Sequence, residues 1–175
     1  MKNDLGRMRI IIYPDPRLRK ACKPVEQFDK SLTDLAARMI ELMHEAKGVG
    51  LAAPQVGVLL RLFVCNTTGQ PEDDRVFVNP TLTDLTGDIE SEEGCLSIPD
   101  VTVPIRRANA CVIEAKDLSG KPVKLQAADL AARCWQHECD HLDGRLIIDR
   151  MSETDRIAQR RTLKQLESQF KQPAR

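Results

Sequence analysis

The chain has 175 residues, with 26 basic side chains balanced by 26 acidic ones. That length suits a single domain with a core of its own, and the balance excludes a general electrostatic attraction to nucleic acid or an anionic membrane. The opening MKNDLGRMRIIIYPDP is cut by Pro14 and Pro16, and no apolar run is long enough for a signal-peptide core or a bilayer span, so a cytoplasmic location is expected.

Residues 1 to 28 read as irregular, apart from a short strand expected at Arg9 to Tyr13. Leu32, Leu35, Ala36, Met39, Ile40 and Met43 then recur at helical spacing, with Ser31 and Asp34 as the expected capping pair and Gly48 as the stop. After the loop GVGLAAPQVG, strands are expected at Leu59 to Cys65, Arg75 to Asn79, Thr81 to Ile89, Val101 to Ile105 and Ala108 to Lys116. A second helix is predicted from about Ala128 to Asp143, ending at Gly144. A third runs from about Glu153 to Phe170 behind a Ser152 cap. Its apolar stripe of Ile157, Leu163, Leu166 and Phe170 is thin, which marks residues 152 to 175 as a surface helix and a loose tail of the single domain 1–175. Separate helices and scattered strands make this an α+β chain, not a parallel βαβ sheet.

Six cysteines in a chain expected in a reducing compartment are expected as free thiols. Cys22, Cys65, Cys111, Cys134 and Cys139 read as small core residues. Cys95 is the exception.

The strongest local signal is WQHECDHLDG, an H-E-x-x-H pattern inside the second helix. At roughly 100° per residue, His141 lies about 40° round from His137 and one turn on, so both imidazoles can hold one metal ion. Glu138 projects to the side, able to reach a water at the ion without binding the ion itself. A catalytic site needs a third protein ligand and an open position. No further histidine follows His141, so the third ligand is sought upstream. EEGCLSIP offers Cys95 beside Gly94, a thiolate suited to a soft or borderline ion.

The segments GVGLAAPQ (Gly48 to Gln55), EGCLS (Glu93 to Ser97) and QHECDH (Gln136 to His141), with YPDPRLR near the start, resemble the signature motifs of peptide deformylases in order and spacing. The resemblance implies a fold of mostly antiparallel strands around a central metal-binding helix, with a C-terminal helix. It implies an enzyme that removes the N-formyl group from the N-terminal methionine of new polypeptides and releases formate. Cys95, His137 and His141 would be the metal ligands, Glu138 the general base and acid, and Gln55 with the Leu96 N–H the oxyanion site. Gly48, Val49 and Gly50 would meet the substrate, and Glu93 with Arg107 would support the metal loop. One divalent ion is expected, Fe²⁺ in the cell, with Zn²⁺ or Ni²⁺ also compatible. The partner would be the nascent formyl-methionyl chain, with ribosome contact through the C-terminal helix and neither membrane nor specific nucleic-acid binding.

Helical arithmetic adds Leu130 and Cys134 to the metal face, as pocket wall or as core, and places Arg133 near the same face, at the pocket mouth or beside an acid. Asp140 could orient a neighbour of the ligands. Two other readings of the motif stand at this level: a zinc peptidase that holds metal without Cys95, and a closed structural site with Cys134 as fourth ligand. One departure from the family is visible. Some members carry an arginine shortly after EGCLS, whereas here DVTVP follows and the arginines come at 106 and 107.

Overall fold

The computed structural model describes residues 5–171. In chain order the elements are α1 (Lys30–Glu45), β1 (Gly50–Ala52), β2 (Leu62–Cys65), β3 (Arg75–Thr86), β4 (Ile89–Cys95), β5 (Ile98–Arg107), β6 (Ala110–Lys116), β7 (Pro122–Ala128), α2 (Asp129–Leu142) and α3 (Glu153–Lys171). Short 3₁₀ turns join several of them. An antiparallel five-stranded sheet runs β1-β2-β3-β6-β7, and β4 pairs with β5 in a separate hairpin, so the expected α+β class holds.

All four residues of β2 are buried because the sheet has a helix on each face. Alternate side chains of a strand point opposite ways. Leu62 and Val64 therefore join Leu35, Met39 and Met43 of α1, whereas Phe63 and Cys65 join Ala132, Cys134 and Trp135 of α2. Each of the larger apolar side chains contributes about 1.5–3 kcal/mol by leaving water. A third cluster packs Val101, Val103 and Ile105 of β5 against Leu18, Ile147 and Leu166. Helix α2 thus packs on the main sheet, and the hairpin reaches it through the side chains of Ser91, Glu93 and Arg107.

The expected strand at Arg9 to Tyr13 does not form. Ile11 N–H donates to Gln55 O and Tyr13 N–H to Ser97 O, so the segment bonds to two separate loops and has no continuous neighbour to make a ladder with. The cap of α1 is Asp29, not Ser31 with Asp34: Asp29 is extended while its carboxylate accepts from the N–H groups of Ser31 and Leu32. Asp34 instead pairs with Lys30 on the exposed face.

The break expected at Pro80 is a bulge inside one strand, β3. Asn79 takes φ 53° and the register shifts between Val78 and Thr81, which is how a proline is accommodated in a ladder. Ile89 belongs to β4, beyond a turn. Strands β1, β4 and β7 have no counterpart among the expected elements, since β1 is three residues long, β4 reads IESEEGC and β7 is a largely exposed edge strand. The Ser152 hydroxyl accepts from Asp155 N–H at the start of α3. Leu166 is buried, but Ile157 is 74% exposed and Phe170 49%, so the apolar stripe of α3 is narrower than its spacing suggests. The expected loose end at 172–175 and the irregular residues 1–4 lie outside the described residues.

Candidate metal centre and cleft

Helix α2 starts at Asp129 and stops at Gly144, whose φ of 73° and whose approach to Arg19 O, 2.7 Å from where a Cβ would stand, both call for glycine. Between these ends His137 and His141 project from one face. Their Nε2 atoms lie 3.2 Å apart, and Cys95 Sγ lies 3.3 Å from His141 Nε2. The three donor atoms fall within 4.8 Å of one another. Donors sharing one tetrahedral ion at 2.0–2.3 Å stand roughly 3.3–3.6 Å apart, so this set fits a single metal ion. Cys95 reaches the helix because β4 ends there and a two-residue turn, Leu96 and Ser97, leads straight into β5.

The orientation of each ligand has a cause. His137 Nδ1 lies 3.1 Å from Glu93 Oε2, so the ring donates from Nδ1 and keeps Nε2 free for the ion. Glu93 accepts from Arg107 through Nε at 2.5 Å and Nη2 at 2.9 Å. Burial alone would raise the Glu93 carboxyl, but the hydrogen bonds from His137 and Arg107 outweigh it and hold it at about 2. Burial drives the His141 imidazole well below its ordinary value, which favours the neutral, ligating form. For His137 burial works in the same sense, yet bonds to Cys95 and Glu93 carry its value up to about 10, a measure of how much negative charge faces that ring.

Glu138 is 3% exposed. Burial pushes its carboxyl up to about 7, with His137 and Arg107 pulling the other way. Its Oε2 and His141 Nδ1 are buried with no partner among the described residues. An unpartnered buried carboxylate oxygen beside this donor set is a further sign that the site accepts an ion and a reacting group.

Gln55 sits in the 3₁₀ turn Ala53–Val56, and Ala52 N–H donates to its Oε1 at 2.8 Å. That bond turns Nε2 toward Cys95 Sγ at 3.6 Å and Ser97 Oγ at 3.2 Å. A cleft of about 400 Å³ opens over the centre, lined by Gly48, Val49, Gly50, Gln55, Leu96, Leu130, Arg133, Cys134, His137 and Glu138 among others. Gly50 is where backbone comes closest to the chemistry: an added Cβ would stand 2.9 Å from Cys134 Sγ and 2.8 Å from Glu138 Cδ.

Cys95, His137 and His141 form the donor set, and Gly48, Val49, Gly50, Gln55, Leu96, Leu130, Arg133, Cys134 and Glu138 line the cleft, whereas Arg107 and Asp140 lie behind it. Cys134 stays outside the donor set, and its thiol donates to Val49 O at 3.4 Å, against the reading of a closed four-ligand site. Arg133 has no acidic partner among the described residues and donates to the Ser91 hydroxyl and Asp129 O. Arg106 is 69% exposed and turned to Asp88 and Glu90, away from the cleft. Ser97, Ser91 and Arg150 went unassigned from sequence. Ser97 stands inside EGCLS, and that motif is its signal; Arg150 has none, because it lies ten residues beyond the Asp140 it grips.

Comparison with known proteins agrees with this geometry. The family model described as polypeptide deformylase matches residues 7–157. Among curated relatives, the peptide deformylase of Thermodesulfovibrio yellowstonii is 43% identical over 154 residues, 87% of this chain and 93% of its own length. That of Hahella chejuensis is 41% identical over 171 residues, 97% of this chain and 100% of its own. The crystal structure of a peptide deformylase from Legionella pneumophila superposes with a TM-score of 0.87 at 43% identity, covering 95% of this chain and 99% of that one. The deformylase structure from Plasmodium falciparum gives 0.90 at 34% identity, covering 93% and 97%.

Proposed function

The chain belongs to the peptide deformylase family, metal-dependent hydrolases that remove the N-formyl group from nascent polypeptides, and we propose that it does so with Cys95, His137 and His141 as ligands and Glu138 as acid–base. The observation that carries the assignment is the set of three donor atoms within 4.8 Å beside a buried carboxylate oxygen that has no partner. When bound, the divalent ion polarises the formyl carbonyl and makes a water acidic enough to attack near neutral pH.

The chain's own residues do the rest. Glu138 takes the proton of the attacking water and passes it to the methionine nitrogen as the C–N bond breaks, yielding formate and a free amine. Gln55 Nε2 and the Leu96 N–H donate to the oxygen that gains charge in between, and Ala52 keeps the Gln55 amide turned that way. Gly48, Val49 and Gly50 form one rim of the cleft, and Leu130, Arg133 and Cys134 line the methionine side-chain pocket on the other. Glu93 and Arg107 hold His137.

One sulfur and two imidazoles suit borderline ions, which supports Fe²⁺ in the cell and tolerates Zn²⁺ or Ni²⁺. Residues 1–175 act as one catalytic unit, with 152–175 as a surface helix and tail. The exposed basic residues Arg156, Arg160, Arg161 and Lys164 of α3 support a transient ribosome contact. No described helix is long and apolar enough to cross a membrane, and six free cysteines fit a cytoplasmic location.

The test is formate release by anaerobically purified protein. Formyl-Met and formyl-norleucine peptides should turn over at similar rates, since norleucine only replaces the thioether sulfur by a methylene of similar size and polarity. Acetyl-Met peptides and internal peptide bonds should be rejected, because Gly50, Cys95 and the histidines leave little room at the carbonyl carbon. Equal rates on acetyl and formyl peptides would overturn the assignment.

A further inference from the structure

A line of charged groups runs from the metal-binding imidazole to the far side of α2. Glu93 bridges His137 and Arg107; the remaining Arg107 amino group, Nη1, donates to Asp140 Oδ2 at 2.9 Å; and Arg150 grips Asp140 with two bonds of 2.6 Å, Nε to Oδ2 and Nη2 to Oδ1. Arg107 and Asp140 are buried, whereas the Arg150 side chain is 37% exposed on the wall of a second cavity of about 380 Å³. Cys139 and Asp140 of α2 and Asp143 just after it line that cavity, on a different face of the helix from the cleft.

We infer that Arg150 is a positioning residue for the metal centre, acting through Asp140, Arg107 and Glu93 on His137. The argument is one of charge. Two carboxylates, Glu93 and Asp140, contact Arg107, and a single guanidinium cannot serve both fully in a buried setting. Arg150 supplies the second cation. With Asp140 satisfied from outside, Arg107 keeps its two-point grip on Glu93, and Glu93 keeps the carboxylate oxygen that orients the His137 ring. Without Arg150, Asp140 competes with Glu93 for Arg107, and the His137 ring loses its fixed orientation. Arg150 touches neither ion nor substrate, so its effect is on how well the ligands are held.

This inference rests on the ligand assignment above, and its test keeps the two separable. Cobalt(II) affinity and the visible cobalt spectrum are measured for wild type, Arg150→Gln, Arg150→Lys and Arg61→Gln, together with kcat and KM for formate release. Arg61 is a control that pairs with Asp143 in the same cavity without touching Asp140. Arg150→Gln should bind cobalt about 10–100-fold more weakly, as loss of a ligand's support does, with a shifted spectrum, a lower kcat and KM within about twofold. Arg150→Lys, which keeps the charge but loses the two-point contact, should fall between, and Arg61→Gln should match wild type in cobalt affinity. Wild-type affinity and spectrum in Arg150→Gln would overturn the inference; if that variant does not fold, the same result in Arg150→Lys would. A wild-type protein that neither binds cobalt nor releases formate would instead overturn the ligand assignment.

Discussion

Glu93 Oε2 lies 3.1 Å from His137 Nδ1, and the same carboxylate receives two bonds from the buried Arg107. One side chain therefore orients a metal ligand and compensates a buried charge. The two tasks come apart on substitution. Glu93→Gln keeps the shape and an acceptor, so it should fold yet bind metal about 10–100-fold more weakly. Glu93→Ala also removes a partner of Arg107, and should cost about 3 kcal/mol or more of stability. Metal competition and chemical unfolding on both variants measure the difference; wild-type stability in Glu93→Ala would mean that Arg107 is satisfied by Asp140 alone.

Glu138 and Gln55 are assigned to chemistry and not to holding the ion. Glu138→Gln should retain metal and lose activity by at least about 10²–10⁴-fold. Gln55→Ala should retain metal too and lose about 10²–10³-fold, the usual loss for a missing oxyanion donor. Metal content by atomic absorption, beside kcat, decides each case. Loss of the ion from either variant would mean the role is misassigned.

Gly50 is required for space. In Gly50→Ala the new methyl would meet Cys134 Sγ and the Glu138 carboxyl, so the strand or α2 must shift. Overpacking of this kind costs about 1–3 kcal/mol. Because the displaced group is the proposed acid–base, kcat should fall further than stability alone would suggest, with metal still bound. Thermal unfolding with initial-rate kinetics tests this; an unchanged kcat would show that the strand yields freely.

Asp15 offers a pH-dependent stability difference away from the metal. Side-chain hydrogen bonds from Arg17 hold its carboxyl below the ordinary value of 3.8, with burial opposing and the Arg17 N–H assisting. A depressed carboxyl binds fewer protons in the folded state than in the unfolded one. Its contribution is therefore present above about pH 4 and is lost as pH falls through the folded value. Asp15→Asn should cost about 1 kcal/mol at pH 7, the size of a lost cap, and less at a pH below the ordinary value of 3.8. Urea unfolding at the two pH values checks it, and a gap that does not narrow in acid would rule out ionisation as its source.

Much of the centre is legible in the chain because it is built on local geometry. The spacing His137-x-x-x-His141 needs only 3.6 residues per turn to bring two imidazoles together, and Gly144 marks the end of the helix through its own φ. Alternation in β5 is equally local: Val101, Val103 and Ile105 point inward, which places Arg107 inside and Arg106 in water. The elements that the sequence does not reveal are those whose environment is supplied from elsewhere. β4, reading IESEEGC, is a strand because β5 pairs with it, and β7 is an edge strand whose ladder partner is β6.

By itself, then, the sequence determined the metal-bearing helix, its two imidazoles and the chemistry they allow, since these follow from residue types at fixed spacing along one element. Only the tertiary structure decided that Cys95 arrives 3.3 Å from His141, that Ala52 aims Gln55, and that Arg150 closes a line of charge to His137. Those contacts join residues up to 46 positions apart. Their geometry depends on how the hairpin and the sheet pack around α2, and neither composition nor period carries that information.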